Sequence, residues 1–129
     1  MEGKMELKNE LFERRKNKRL EFKNEAKFRI IGEITTEAIS YEYEKAETKN
    51  ISVGGVCLIL RHKITEGNVI RVEIPIGEKG LIKAFCEVQW CKESSTNGHY
   101  EAGLSFIALK EDDAELLNNY VKNNQERAM

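Results

Sequence analysis

In three runs between Val69 and Phe106 apolar residues recur at every second position. Ile70, Val72 and Ile74 alternate with Arg71 and Glu73 up to Pro75. Ile82, Ala84, Cys86, Val88 and Trp90 then hold one face, and Tyr100, Ala102, Leu104 and Phe106 return on one face after Ser94-Ser95-Thr96-Asn97-Gly98. Successive side chains of a strand point to opposite faces, so a period of two buries one face of a strand and would bury no face of a helix. Glu66-Gly67-Asn68 and Gly77-Glu78-Lys79-Gly80 supply turns between these runs. The segment therefore reads as an antiparallel meander.

The upstream half is less regular. Phe28, Ile30 and Ile34 share a face, with Gly32 between them as a bulge or sharp bend, and Ile39, Tyr41 and Tyr43 alternate with Ser40, Glu42 and Glu44 in a strand running toward Asn50. Val56-Cys57-Leu58-Ile59-Leu60 is a continuous apolar run, which suits a strand covered on both sides. About six short strands with such turns predict an all-β chain closed, or nearly closed, into an antiparallel barrel. A helix flanks it: Glu111-Asp112-Asp113 places negative charge at a helix N-terminus, and Ala114, Leu117, Tyr120 and Val121 form an apolar stripe, with fraying expected from Asn123 onward. Met5, Leu7, Leu11 and Phe12 have the spacing of a further short amphipathic helix.

At 129 residues, 40% of them hydrophobic and 33% charged, one domain with its own core is expected. No apolar run approaches the ~20 residues of a membrane span. Residues 1–6 carry no apolar export core, so a cytoplasmic location is expected. Three cysteines, Cys57, Cys86 and Cys91, form no Cys-x-x-Cys pair and read as buried small hydrophobes in a reducing compartment, with no metal-site spacing. His62 and His99 are isolated in sequence and read as surface or structural residues.

Net charge is −1, which argues against binding DNA or RNA through a broad basic surface. The positive charge is local instead. Five of the six residues in Arg14-Arg15-Lys16-Asn17-Lys18-Arg19 are cationic, three of them arginines. A guanidinium pairs bidentately with phosphate or with the O6/N7 edge of guanine, and it also stacks on a base. A second polar feature, Asn50-Ile51-Ser52-Val53-Gly54-Gly55, has two glycines that permit positive φ and close approach of another molecule, beside short hydrogen-bonding side chains.

Arg15-x-x-x-Arg19, followed after residues 20–49 by Asn50-x-Ser52-x-x-Gly55, resembles the PilZ domain family of bacterial cyclic di-GMP receptors, and Glu87-Val88-Gln89-Trp90 and Tyr100–Phe106 are similar to that family's later strands. The resemblance implies a six-stranded antiparallel PilZ-type β-barrel followed by a C-terminal α-helix. Residues 1–13 would be an extension and 14–129 the domain, with a basic arm over 14–24, the barrel over about 26–108 and the helix over about 111–124. It further implies a ligand, cyclic di-GMP, bound by Arg14, Arg15, Arg19, Asn50, Ser52, Gly54 and Gly55, with no other cofactor. Arg14, a long polar residue just before the motif, goes in that family with two stacked ligand molecules per domain. The ligand would order the arm on the barrel and create a surface for a downstream protein partner, without membrane insertion.

Two readings compete. A PilZ-like barrel acting only as a protein-interaction module would keep the fold without the affinity. An oligonucleotide-binding barrel would spread its positive charge over several strands and expose more aromatics than the 8% present. An enzyme is disfavoured, since no nucleophile stands with a base and no metal-ligand spacing is present.

Overall fold

The protein is described from a computed structural model covering residues 19–31, 43–94 and 98–128. Seven strands and one helix follow in order: β1 (Leu20–Glu21), β2 (Glu25–Ile31), β3 (Glu44–Ile51), β4 (Gly55–Leu60), β5 (Val69–Ile76), β6 (Gly80–Glu93), β7 (Tyr100–Leu109) and α1 (Glu111–Ala128). The proposed helix over 5–12, the bend at Gly32, the strand start at Ile39 and Tyr41 and the hairpin tip at 95–97 lie outside the described residues.

All pairings are antiparallel, in the order β3-β2-β5-β6-β7-β4, and β4 pairs back onto β3 to close a six-stranded barrel. The short β1 is an addition to this barrel. It pairs with β3 beside β2, through Leu20–Ile51 and Glu21–Asn50, so residues 20–31 act as one partner of β3 interrupted at Phe22-Lys23-Asn24. Part of what the sequence presented as arm is therefore strand.

β5 shows why the chain closes this way. Ile70, Val72, Ile74 and Ile76 are buried while the residues between them are half-exposed, so one face points into the barrel and the other outward. Pro75 lies past the last β2–β5 pair, Lys27–Glu73, and its carbonyl accepts the Asn24 side-chain amide at 2.9 Å. A residue's N–H and C=O point to the same side of a strand, so the N–H that proline lacks faces the side where β2 has already ended. β6 shifts register against β7 between Phe85 and Cys86 and again between Val88 and Trp90, and β3 shifts against β4 between Thr48 and Asn50. Such bulges bend and twist strands, which allows six of them to close on one another.

The core is the barrel interior, filled by side chains such as Phe28, Ile51, Leu58, Leu60, Ile70, Ile74 and Ile82. α1 lies over the barrel end where β1 and the β5–β6 turn meet. Leu117 and Val121 are buried there, Leu116 approaches Gly80, and the Lys83 N–H donates to Asp113 at 3.1 Å. Helical structure continues past Asn123 to Ala128 instead of fraying, and the Asn124 amide bonds the Tyr120 carbonyl at 2.8 Å in that last stretch. As expected, Cys57 and Cys86 are buried, with Cys91 half-buried.

Candidate functional site

Asn50 and Ile51 close β3, and Ser52-Val53-Gly54 turns the chain into β4. Ile51 points into the core, so Asn50 points outward and is half-exposed. The Ser52 N–H donates to the Gly55 carbonyl at 2.9 Å, and the Ser52 hydroxyl, 7% exposed, accepts the Gly54 N–H at 3.2 Å. That hydroxyl holds the shape of the turn. Gly54 is exposed at its tip, and its carbonyl accepts the Phe106 N–H at 2.9 Å, tying the tip to β7.

The glycines are not where they are for the expected reason. Positive φ occurs at Gly67, Gly77 and Gly98, and at neither Gly54 nor Gly55. Gly55 is needed by the barrel: a Cβ there would fall on the Leu104 carbonyl oxygen of the paired strand. No side chain fits between β4 and β7 at that point.

Arg19 immediately precedes β1. Because Leu20 pairs with Ile51, the antiparallel register sets Arg19 across from Ser52, at the mouth of the glycine turn. The base of the arm is fixed there by Thr48. Its fully buried hydroxyl donates to the Phe22 carbonyl at 2.8 Å and accepts the Asn24 N–H at 2.8 Å, and the Phe22 N–H donates to Lys49 O at 3.0 Å. Phe22 in turn meets Tyr120 of α1 edge-on, with ring centroids 5.6 Å apart. Arg14 and Arg15 lie outside the described residues.

Beside the turn, register aligns an outward row across four strands. Asn50 pairs with Cys57, Cys57 with Gly103, and Gly103 with Trp90. At ~4.8 Å per strand the row spans about 14 Å. The Trp90 indole lies on Gly103, where a Cβ would collide with it. Lys92 Nζ stands 5.3 Å from the Trp90 ring centroid. Lys49, at the β3 bulge, reaches across β4 to bond Glu101 of β7 at 2.7 Å. That bond holds the lysine pKa above its ordinary value.

Charge gathers over Cys57. Burial pushes its thiol up and Glu101 adds to this, while Lys49, Arg19 and Lys92 act in the opposite direction. In the register, Lys49 bonds Glu101, Lys92 pairs with Glu101 across β6 and β7, and Arg19 stands at the turn, so three cations and one carboxylate surround the Asn50–Cys57–Gly103 row. The surface is cationic, with a flat aromatic on one side and an exposed glycine turn on the other, which suits an anion that also carries planar rings. Sequence reading placed Arg19 and the turn but missed Lys49, Lys92, Trp90 and Glu101. Only strand register brings those four together. Next along the same strands, a groove of about 420 Å³ mixes Lys23, Lys45 and Arg61 with Glu25 and Glu47, so its charges largely cancel.

A family model described as the PilZ domain matches residues 13–123. The chain belongs to the PilZ domain family. PilZ domains are binding modules, and the barrel, extra strand and C-terminal helix agree with that membership. Among solved structures, this PilZ chain is similar to the Bacillus subtilis inhibitor of motility (MotI/DgrA), with a TM-score of 0.72 and 17% identity. The match covers 90% of this chain and 53% of that one, so the chain spans about half the length of that protein. At this identity the likeness is one of fold. No curated protein matched. No helix among the described residues is long and apolar enough to cross a membrane.

Proposed function

We propose that this PilZ domain is a cyclic di-GMP receptor, with the ligand held between the basic arm and the outward face around the Asn50–Gly55 turn. The observation that carries the reading is the Leu20–Ile51 register, which sets Arg19 of the arm motif across from Ser52 of the turn motif. The last residue of one motif thereby stands beside the other, far from it in sequence. Arg15 and Arg19 supply the guanidinium groups for phosphate and guanine, Asn50 reaches a base edge, Ser52 keeps the turn in shape, and exposed Gly54 leaves room for the ligand. Arg14 extends the arm toward a second ligand molecule. Binding orders the arm, and a protein partner reads the new surface, in the cytoplasm.

The test is calorimetric titration of the full chain with cyclic di-GMP. Loss of one bidentate arginine in Arg15→Ala or Arg19→Ala costs ~1–3 kcal/mol, about tenfold to a hundredfold in affinity. Absence of binding in the parent chain, or unchanged affinity in both variants, overturns the reading. A second reading, a partner-docking module that needs no nucleotide, is favoured by one observation. The exposed large apolar side chains among the described residues, Leu81, Phe85 and Ile107, all lie on β6 and β7. Retained partner capture by a chain that binds no nucleotide would select it.

A further inference from the structure

The motif residue at the head of the turn is Asn50, an amide. The Watson–Crick edge of guanine presents an acceptor, O6, followed by two donors, N1–H and the N2 amine. An amide has one acceptor atom and cannot give each donor an acceptor atom of its own. A carboxylate can, because its two oxygens both accept.

The surface around Cys57 holds such a group. Glu101 projects outward from β7 between the inward-facing Tyr100 and Ala102, and its Oε1 takes Lys49 Nζ at 2.7 Å. The lysine side chain is half-exposed and the glutamate side chain 13% exposed, and the bond between them holds both in place. The pair thus offers one donor, Nζ, beside a carboxylate with two acceptor oxygens. Guanine reads acceptor, donor, donor. Adenine, which offers a donor and then an acceptor on the same edge, does not match.

We infer that the Lys49–Glu101 pair is the guanine-selecting element of this site: Lys49 donates to O6, and the Glu101 carboxylate accepts from N1–H and the N2 amine. This rests on the cyclic dinucleotide reading above and adds to it a determinant outside both sequence motifs. Position supports it. Lys49 directly precedes Asn50, whose strand partner Cys57 pairs with Gly103, two residues along β7 from Glu101 on the same outward face. Charge supports it too, since Lys49 bonds the carboxylate and Lys92 stands opposite Glu101 in the β6–β7 register, offsetting its charge in front of a dianionic ligand. In a partly dry site, hydrogen bonds to an ionised acceptor are about twice as strong as neutral ones.

The experiment titrates the full chain with cyclic di-GMP, its inosine analogue, which lacks only the N2 amine, and cyclic di-AMP. The parent chain is expected to prefer cyclic di-GMP to the inosine analogue about tenfold, and to bind cyclic di-AMP a hundredfold or more weakly. Glu101→Gln, nearly isosteric, should bring the guanine-to-inosine ratio close to one. Lys49→Met should weaken both of those ligands equally, because both carry O6, and Arg19→Ala should weaken both with the ratio intact. Melting curves and circular dichroism establish that each variant is folded, and a ratio cannot move through a purely structural loss. A guanine-to-inosine ratio unchanged in Glu101→Gln, or tighter binding by that variant, overturns this inference and leaves the receptor reading standing. If the parent chain binds none of the three, both fall together.

Discussion

Thr48 and Phe22 are joined by a buried hydrogen bond of 2.8 Å, from the threonine hydroxyl to the phenylalanine carbonyl. Since the same oxygen accepts the Asn24 N–H, one side chain of β3 satisfies two backbone groups where the β1–β2 segment leaves regular pairing. The point lies three residues beyond Arg19. Thr48 therefore fixes residues 22–24, the base of the arm, against β3.

Thr48→Val keeps the volume and removes both bonds. A buried group left without a partner costs about 1–3 kcal/mol, so the variant should lose about that much in denaturant unfolding. Arg19 should also lose its fixed position across from Ser52, and cyclic di-GMP affinity should fall with it. A stability equal to that of the parent would show that water replaces the hydroxyl and that Thr48 does not anchor the arm.

Gly55→Ala should destabilise the barrel whether or not ligand is present. The added methyl falls on the backbone oxygen of Leu104, which cannot move aside as a flexible side chain does. Overpacking of this kind typically costs about 1–3 kcal/mol. Gly54→Ala, at an exposed position without positive φ, should be nearly neutral for stability. The pair of variants separates the fold's need for glycine from the ligand's need for space. Equal stabilities would refute the assignment of Gly55 to barrel closure.

How much of this was legible in the sequence depends on what each strand buries. β5, β6 and β7 fill the core at alternate positions, and the period of two shows directly as far as Val88. The bulge that follows turns Trp90 outward and Cys91 inward, so Trp90 does not share the face of Ile82, Ala84, Cys86 and Val88 as expected. β3 buries Ala46 and Thr48 among charged neighbours, so its face carries almost no hydrophobic signal. β1 has two residues, too few for any period, and it sits in a charged arm. The two halves of the proposed site stand out in the sequence because each is a contiguous motif. Lys49, Trp90, Lys92 and Glu101 belong to three strands, and two bulges decide which of them meet. No local pattern encodes that meeting.

Gly103→Ala tests the outward row. The new methyl would occupy the space of the Trp90 indole, a rigid ring that has to lift away from the sheet. Because the chain has one tryptophan, its fluorescence reports this site alone. A red-shifted emission is expected, with a stability loss of about 1–3 kcal/mol. Unchanged emission would mean that the indole does not rest on Gly103.

His62 gives the protein a pH dependence of definite sign. Its ring bonds the Glu44 carboxylate, and this contact raises the imidazole pKa above the ordinary 6.5, against a smaller opposing effect of burial. The pair joins the start of β3 to the segment just past β4 and lies near Phe28, with ring centroids 6.2 Å apart. A group whose folded pKa is raised stabilises the fold fully below its unfolded value. That contribution disappears as pH climbs through the folded value. The melting temperature should therefore decline from about pH 6.5 upward, until the ring has lost its proton in the folded state as well. Both side chains are about half-exposed, so water screens the pair and the effect should stay below about 1 kcal/mol. His62→Gln should remove this decline while leaving the acid side of the profile in place. Melting curves from pH 5.5 to 8.5 for the parent and the variant would check it. A parallel decline in the two proteins would assign the titration to another group.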